Sequence, residues 1–331
     1  MSVAGPTRIR RLLPGLGLLV ALAGASMLVA GVVPGVNALL LGVFFGALVA
    51  NTVGVPDWAE PGVGTQKLLL ETGIVLLGAR IALDELVASG PVVLGLVVAT
   101  VIGGLLFVEV LAGRVFGIAE KTSSLLAASA SVCGVSAATA IAGTIEADGE
   151  SLAHVVAAVL LFDAVTLVLF PIAGDVLPLS SQQFGVWVGL SMFSTGPVTA
   201  AGFAHSAVAG QWATVTKLAR NSMLGGVALW YAVRYAGGET DSLRGLLDGV
   251  PRFLVGFGLV AALANSGLLS SSALTAIDTA GDTLFALAFV GLGLEVRLAA
   301  MRDTGLAPVA ILAAQLLVVS AVSLALVVTM L

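Results

Sequence analysis

Long apolar runs, each close to the length of a bilayer-crossing helix, alternate along this chain with short polar connections. A crossing helix needs about 20 mainly apolar residues. The pattern predicts eleven such helices, over residues 11–33, 36–54, 66–83, 90–112, 121–145, 150–173, 181–206, 210–236, 249–267, 273–298 and 305–330. The runs are continuous and lack the short alternating segments of a closed membrane barrel. The longest polar stretch, about 237–250, is too short to fold alone, so one membrane domain over 1–331 is expected. The expected fold is an all-α polytopic membrane protein.

Composition narrows the function. The chain is 59% hydrophobic and 10% charged, with 41 glycines, against roughly 25% charge in ordinary soluble domains. Two histidines and one cysteine leave no Cys/His-rich metal site, no disulfide framework and little material for a membrane enzyme. Net charge −5 argues against nucleic acid, which needs a dense cationic face. No cofactor or metal is expected.

The charges that remain set an orientation. With the N-terminus inside, the cytoplasmic ends hold Arg8, Arg10, Arg11, Lys67, Arg114, Lys121, Arg234, Arg244, Arg252, Arg297 and Arg302. Arg80 falls at an outer end, and Lys217 and Arg220 lie inside a span. This bias follows the positive-inside rule. It predicts an odd number of spans, a cytoplasmic N-terminus and an outer C-terminus in the plasma membrane. Asp84, Glu85, Glu146, Asp148 and Glu150 then gather outside. The first apolar run also resembles a signal peptide, but no clear cleavage site follows it, and an uncleaved helix is expected.

A weak internal repeat has an offset of 214–215 residues. Gly42 and Asn51 match Gly256 and Asn265. Leu77-Gly78, Leu83 and Gly90 match Leu292-Gly293, Leu298 and Gly305. The repeat-related parts are about 36–112 and 250–330, running in opposite directions. Inverted repeats mark secondary transporters, whose substrate sites lie near the midplane. Chance is the plainer account, since Gly and Leu are abundant in the chain.

Candidate chemistry gathers in spans five to eight. Ser129, Ser131, Cys133, Gly134, Ser136 and Thr139 crowd span five. A break at Cys133-Gly134 would expose helix N-terminal amides able to bind an anion. Tight helix packing explains the same small residues. In span seven, Gly196-Pro197 should break or kink the helix, with Ser194, Thr195 and Thr199 beside it. Charges within spans are costly unless paired or hydrated. Asp163 lies midway along span six, while Lys217 and Arg220 share a face of span eight beside Asn221. Asp163 is expected to pair with Lys217 until substrate or a proton breaks the pair; a permanent structural pair is the alternative. Glu109, Arg80, Glu295 and Arg297 lie near span ends, where snorkelling accounts for them.

The stretches ETGIVLLGARIAL, SASVCGVSAATAIAG followed by EADGE, LLFDAVTLVLFP, AAGF and TVTKLAR together resemble the YeiH-like sulfate exporter family of bacterial and archaeal membrane proteins. The likeness runs from about residue 34 to 325. That family belongs to the cation–proton antiporter and anion transporter superfamily. The resemblance implies inverted repeats and two broken, crossing helices, one in span five and the other in span seven or ten. Two departures are notable. Phe193-Ser194-Thr195-Gly196-Pro197 replaces a family stretch containing His and Glu, and Asp163 stands where a small residue is usual. The expected function is secondary active transport of a small anion, sulfate or an organosulfonate, by alternating access. Ser131, Cys133, Gly134, Ser136, Thr139, Ser194, Thr195, Gly196, Lys217, Arg220 and Asn221 would bind substrate, and Asp163 would couple it. The alternative is a cation–proton exchanger using Asp163 and Lys217. Expected partners are the lipid bilayer, a small anion and a proton or sodium co-substrate, with a homodimer left open.

Overall fold

A computed structural model describes residues 6–33, 37–80, 83–236, 252–297, 299 and 305–331. Arg244, Arg302, Leu298 and the polar stretch 237–250 lie outside the described residues, as do the side chains of Arg8, Asp84, Glu85 and Arg252. The described residues form helices and no strands. They divide into one unit comprising residues 1–82 and 255–299, and a second comprising 83–254 and 300–331. Among the described residues, five helical segments are long and apolar enough to cross a membrane: Arg10–Val32, Ser89–Val115, Gly149–Val176, Ser271–Glu295 and Leu306–Met330.

The first unit contains α1 (Pro6–Val32), α2 (Ala38–Thr52), the single turn α3 (Glu60–Val63), α4 (Gln66–Leu77) with a 3-10 turn at Gly78–Arg80, α13 (Arg252–Asn265) and α14 (Ser271–Glu295). Glycines bring its helices together backbone to backbone. A Cβ at Gly293 of α14 would strike the Val43 carbonyl of α2, and one at Gly78 would strike the Phe257 carbonyl of α13. Gly42 faces the Val290 side chain as Gly256 faces that of Val75, at 3.1 and 3.0 Å from an added Cβ. These contacts exchange under the offset seen in the sequence. Asn51 and Asn265 both donate to the carbonyl four residues earlier, at 2.7 and 2.9 Å. Asn51 Nδ2 also donates to the Val296 carbonyl at 2.6 Å. Arg80 does more than snorkel: it bridges Asp278 and Asp282 of α14 at 2.9 and 2.8 Å.

The second unit contains α5 (Leu83–Val110, extended by a π turn Leu111–Val115), α6 (Glu120–Ser131), α7 (Val135–Ile145), α8 (Gly149–Val176), α9 (Ser181–Ser191), α10 (Thr195–His205), α11 (Ala207–Ser222), α12 (Leu224–Ala236) and α15 (Leu306–Met330). Here the sequence expectation is corrected. Spans five and seven do not cross; each doubles back as a helical hairpin. Lys121 Nζ, at the start of α6, donates to the Glu146 carbonyl after α7 at 2.9 Å. Thr122 and Ser151 hydroxyls meet nearby at 2.9 Å. The expectation that Lys121 and Glu146 lie on opposite sides therefore fails.

The second hairpin closes in the same way. Ser206 Oγ, after α10, donates to Ser181 Oγ at the start of α9 at 2.9 Å. The Phe184 and His205 rings meet tilted, with centroids 4.3 Å apart. Helix α11 confirms the reversal. Along it, Ala209, Ala213 and Thr216 pass Gly185 and then Gly189 of α9. Against α10 the order inverts, since Thr214 meets Thr199 at 3.2 Å and Asn221 meets Thr195 at 3.0 Å.

The hairpins open toward opposite ends of α5. Ser124 of α6 donates to Glu109 near the end of α5 at 2.8 Å, whereas Gln182 of α9 donates to Ser89 near its start at 2.9 Å. At the α-helical rise those anchor points lie about 30 Å apart, the thickness of a hydrocarbon core. Glu109, expected to snorkel, also accepts from Tyr231 at 2.8 Å and pairs with Arg234 at 2.7 Å.

Candidate functional site

Two hairpins that enter from opposite ends must meet within the unit, and they meet at their tips. A Cβ on Gly134 would collide with Ser194 Oγ, so the first tip is pressed against the second. Gly134 sits at φ 64°, ψ −130°, a conformation open only to glycine, and this turns the chain from α6 into α7. The second tip turns through extended residues, with Met192 at φ −75°, ψ 155° and Ser194 at φ −102°, ψ 150°. This break lies before Gly196-Pro197. Pro197 occupies the first turn of α10, where a missing N–H costs no helical bond. The proline marks a helix start, and the expected interruption is a break just before Gly196-Pro197.

Each tip presents two kinds of helix end. The C-terminal carbonyls of α6 and α9 are met by the two buried cations, Lys217 at 0% and Arg220 at 1% exposure. Lys217 Nζ donates to Val132 of the first tip at 2.8 Å and Met192 of the second at 3.1 Å. Arg220 Nε and Nη2 reach the carbonyls of Ala130 and Ser131 at 2.9–3.2 Å. Its Nη1 reaches Gly189, Leu190 and Met192 at 2.9, 2.7 and 3.0 Å. All three guanidinium nitrogens are thus committed to carbonyls, stitching hairpin to hairpin. Such ends carry about half a negative charge each and otherwise leave carbonyls unsatisfied.

The N-terminal ends of α7 and α10 are different. Helices α8, α9 and α11 start with side-chain caps, from Asp148, Ser180 and Ser206. Neither α7 nor α10 has one. Helix geometry leaves the amides of Val135, Ser136 and Ala137 without an intrahelical acceptor, as it does those of Thr195 and Gly196. Ser194 stands at the cap position of α10, but proline replaces the amide three residues on, and the buried Ser194 Oγ has no hydrogen-bond partner. Asp163 of α8, 6% exposed, accepts from the Ser194 amide at 3.2 Å. Asp163 and Lys217 therefore reach the same tip, one through an amide and the other through a carbonyl. Asn221 Nδ2 donates to Thr195 Oγ1, while its Oδ1 is buried without a partner.

The structure gathers Ser131, Cys133, Gly134, Ser136, Asp163, Ser194, Thr195, Gly196, Lys217, Arg220 and Asn221 around these tips. Thr139 lies a turn beyond, on the exposed face of α7 that also carries Ser136, and donates to the Val135 carbonyl at 3.0 Å. Cys133 is buried and in no disulfide. One residue escaped the sequence reading. Gln315 of α15 is 1% exposed, and its Nε2 and the Ser131 Oγ both crowd the place that a side chain on Gly104 of α5 would take. Its local signal is one amide in an apolar helix. Among the described residues, no group of His, Cys, Asp and Glu could hold a metal ion.

A helical membrane protein whose charged interior lies between two opposed re-entrant hairpins is the class that fold and site define. The chain belongs to the family described as conserved hypothetical protein 698, which matches residues 14–312. It is 33% identical over 276 residues to a UPF0324 membrane protein of Nitratidesulfovibrio vulgaris, covering 81% of this chain and 76% of that one. A UPF0324 membrane protein of Agrobacterium fabrum is 32% identical over 268 residues, covering 81% and 77%. The UPF0324 membrane protein TauZ of Paracoccus denitrificans is 31% identical over 287 residues, covering 85% of each chain. No solved structure matches the chain significantly.

Proposed function

We propose that the protein is a secondary active transporter that moves a small anion across the plasma membrane by alternating access. The observation that carries this reading is the meeting, mid-unit, of two helix N-termini that have no side-chain cap. Their free amides and positive dipole ends suit an anion without a dedicated charged ligand. Irregular backbone at membrane depth is tolerated where it is enclosed by protein or lines a cavity. The resemblance to sulfate exporters directs the substrate choice toward sulfate or an organosulfonate. Ser136, Ser194, Thr195 and Gly196 would contact it, with Ser131, Cys133, Gly134 and Asn221 shaping the tips. Lys217 and Arg220 would act from behind the tips through their field, because their donors are engaged.

Charge balance gives Asp163 its role. The four helix ends cancel at about half a charge each, so the side chains leave about one net positive charge. Protonating Asp163 raises this by one and weakens its hold on the Ser194 amide, readying the site for a divalent anion. Replacing two of the eleven expected spans by hairpins removes two crossings and preserves parity. The cytoplasmic N-terminus and outer C-terminus therefore stand as part of this reading, and we take the exchanged glycine contacts as its inverted repeat. Cation–proton exchange is less supported, because Lys217 is engaged by two carbonyls.

Flux in proteoliposomes tests the reading, with sulfate, sulfonates, sodium and pH gradients applied in turn. Sulfur-anion uptake that rises with an inward proton gradient, and loses that response in Asp163→Asn, is expected. Cation-driven proton movement without anion flux would overturn it in favour of exchange.

A further inference from the structure

In transporters with interrupted helices, freed carbonyls and half-helix C-terminal ends commonly coordinate the co-transported cation. Here the same class of carbonyl has been taken over by the chain itself. Lys217 places one ammonium between Val132 and Met192, a carbonyl from each tip, at 2.8 and 3.1 Å. Arg220 occupies the five neighbouring carbonyls of Ala130, Ser131, Gly189, Leu190 and Met192, sharing the last with Lys217. Both side chains come from α11, three residues apart, and both are essentially fully buried. A monovalent cation bound at this point would have to displace a tethered one of equal charge.

We propose that Lys217 and Arg220 are the resident cations of the site, standing where a coupling sodium ion would bind, so that transport does not use sodium. The inference rests on the anion-transporter reading and deepens it, since it removes one of the two co-ions. Arg220 is the fixed member, because its planar fork ties both hairpins at once. Lys217 is the replaceable member, a compact charge on a flexible stem. Truncating it leaves carbonyls from both tips facing a space of ammonium size, which an external sodium or methylammonium ion fits.

The test uses the full chain, reconstituted with labelled sulfate as the probe. Wild-type uptake should be unchanged when sodium is replaced by N-methylglucamine at constant ionic strength. Lys217→Ala should lower uptake by at least about tenfold, the scale of losing a buried charge contact. Sodium or methylammonium, but not N-methylglucamine, should restore most of it. Melting of the purified proteins supplies a readout independent of flux. The wild type should melt alike in both salts, whereas Lys217→Ala should be raised by sodium or methylammonium. Wild-type uptake that requires sodium would overturn the inference and leave the transporter reading intact. Absence of sulfate and sulfonate uptake in the wild type would instead strike that reading, and a sodium-insensitive Lys217→Ala melt would then overturn the resident-cation inference separately. If Lys217→Ala does not fold, the wild-type salt comparison still decides.

Discussion

The two hairpins are close in size, with half-helices of 12 and 11 residues in the first and 11 and 11 in the second. Their tips are built by different means. The first turns on a positive-φ glycine, and its cradle of Ala130, Ser131 and Val132 carbonyls is met by α11 cations. The second turns through extended residues, and its amide and hydroxyl are engaged by Asp163 and Asn221 as well. A backbone device makes one tip a fixed wall. Side-chain contacts hold the other, and the buried Asp163 carboxylate sits on that one. Under the transporter proposal, the first hairpin would give the site its shape and the second its control.

Removing what the hairpins share should have the largest effect. Arg220→Ala leaves carbonyls of both tips unpaired and should cost about 3–5 kcal/mol, the scale of breaking a buried charge network. A lowered melting temperature and loss of flux check this, and a wild-type melt would remove Arg220 as the link between tips. Gly134→Ala starts from the first tip. It forces a Cβ into a glycine-only conformation and onto Ser194, at a cost of about 1–3 kcal/mol. Cys133, the chain's single cysteine and buried, should then become reactive to maleimide. Unchanged thiol protection would show the first tip to be more pliable than its backbone implies. Asn221→Leu touches the second tip alone and should cost about 1 kcal/mol, one lost hydrogen bond. Its melt should fall slightly and Cys133 should stay protected; a reactive thiol would mean that the tips are not separable.

Much of the site could be read from residue types. Asp163, Lys217 and Arg220 stand out because charge is scarce in the apolar runs, and Gly134 marks a break because no other residue takes its backbone angles. The hairpins could not be read. Residues 121–145 and 181–206 have the length and composition of crossing helices, and a hydropathy pattern is the same whether a chain continues or doubles back. Pro197 pointed to an interruption without fixing its place, since a proline inside a helix and one in its first turn look alike in sequence. The partners of Lys217 and Arg220 were invisible because they are main-chain carbonyls, which every residue has. Gly78 and Gly293 were more legible, because another backbone approaches each of them closely and only glycine leaves it room.

The shortness of the half-helices has a consequence for how the protein is made. Eleven or twelve residues extend about 17 Å, little more than half of a hydrocarbon core. Neither hairpin can leave its tip carbonyls facing lipid. Lys217 follows Met192 by 25 residues, but it follows Val132 by 85. A ribosome has therefore released the whole first hairpin, α8 and the second hairpin before the first tip can meet its cation. Until then the first tip needs water or other protein groups as temporary partners. The first tip is completed only when α11, packed on the second hairpin, brings Lys217 and Arg220 to it.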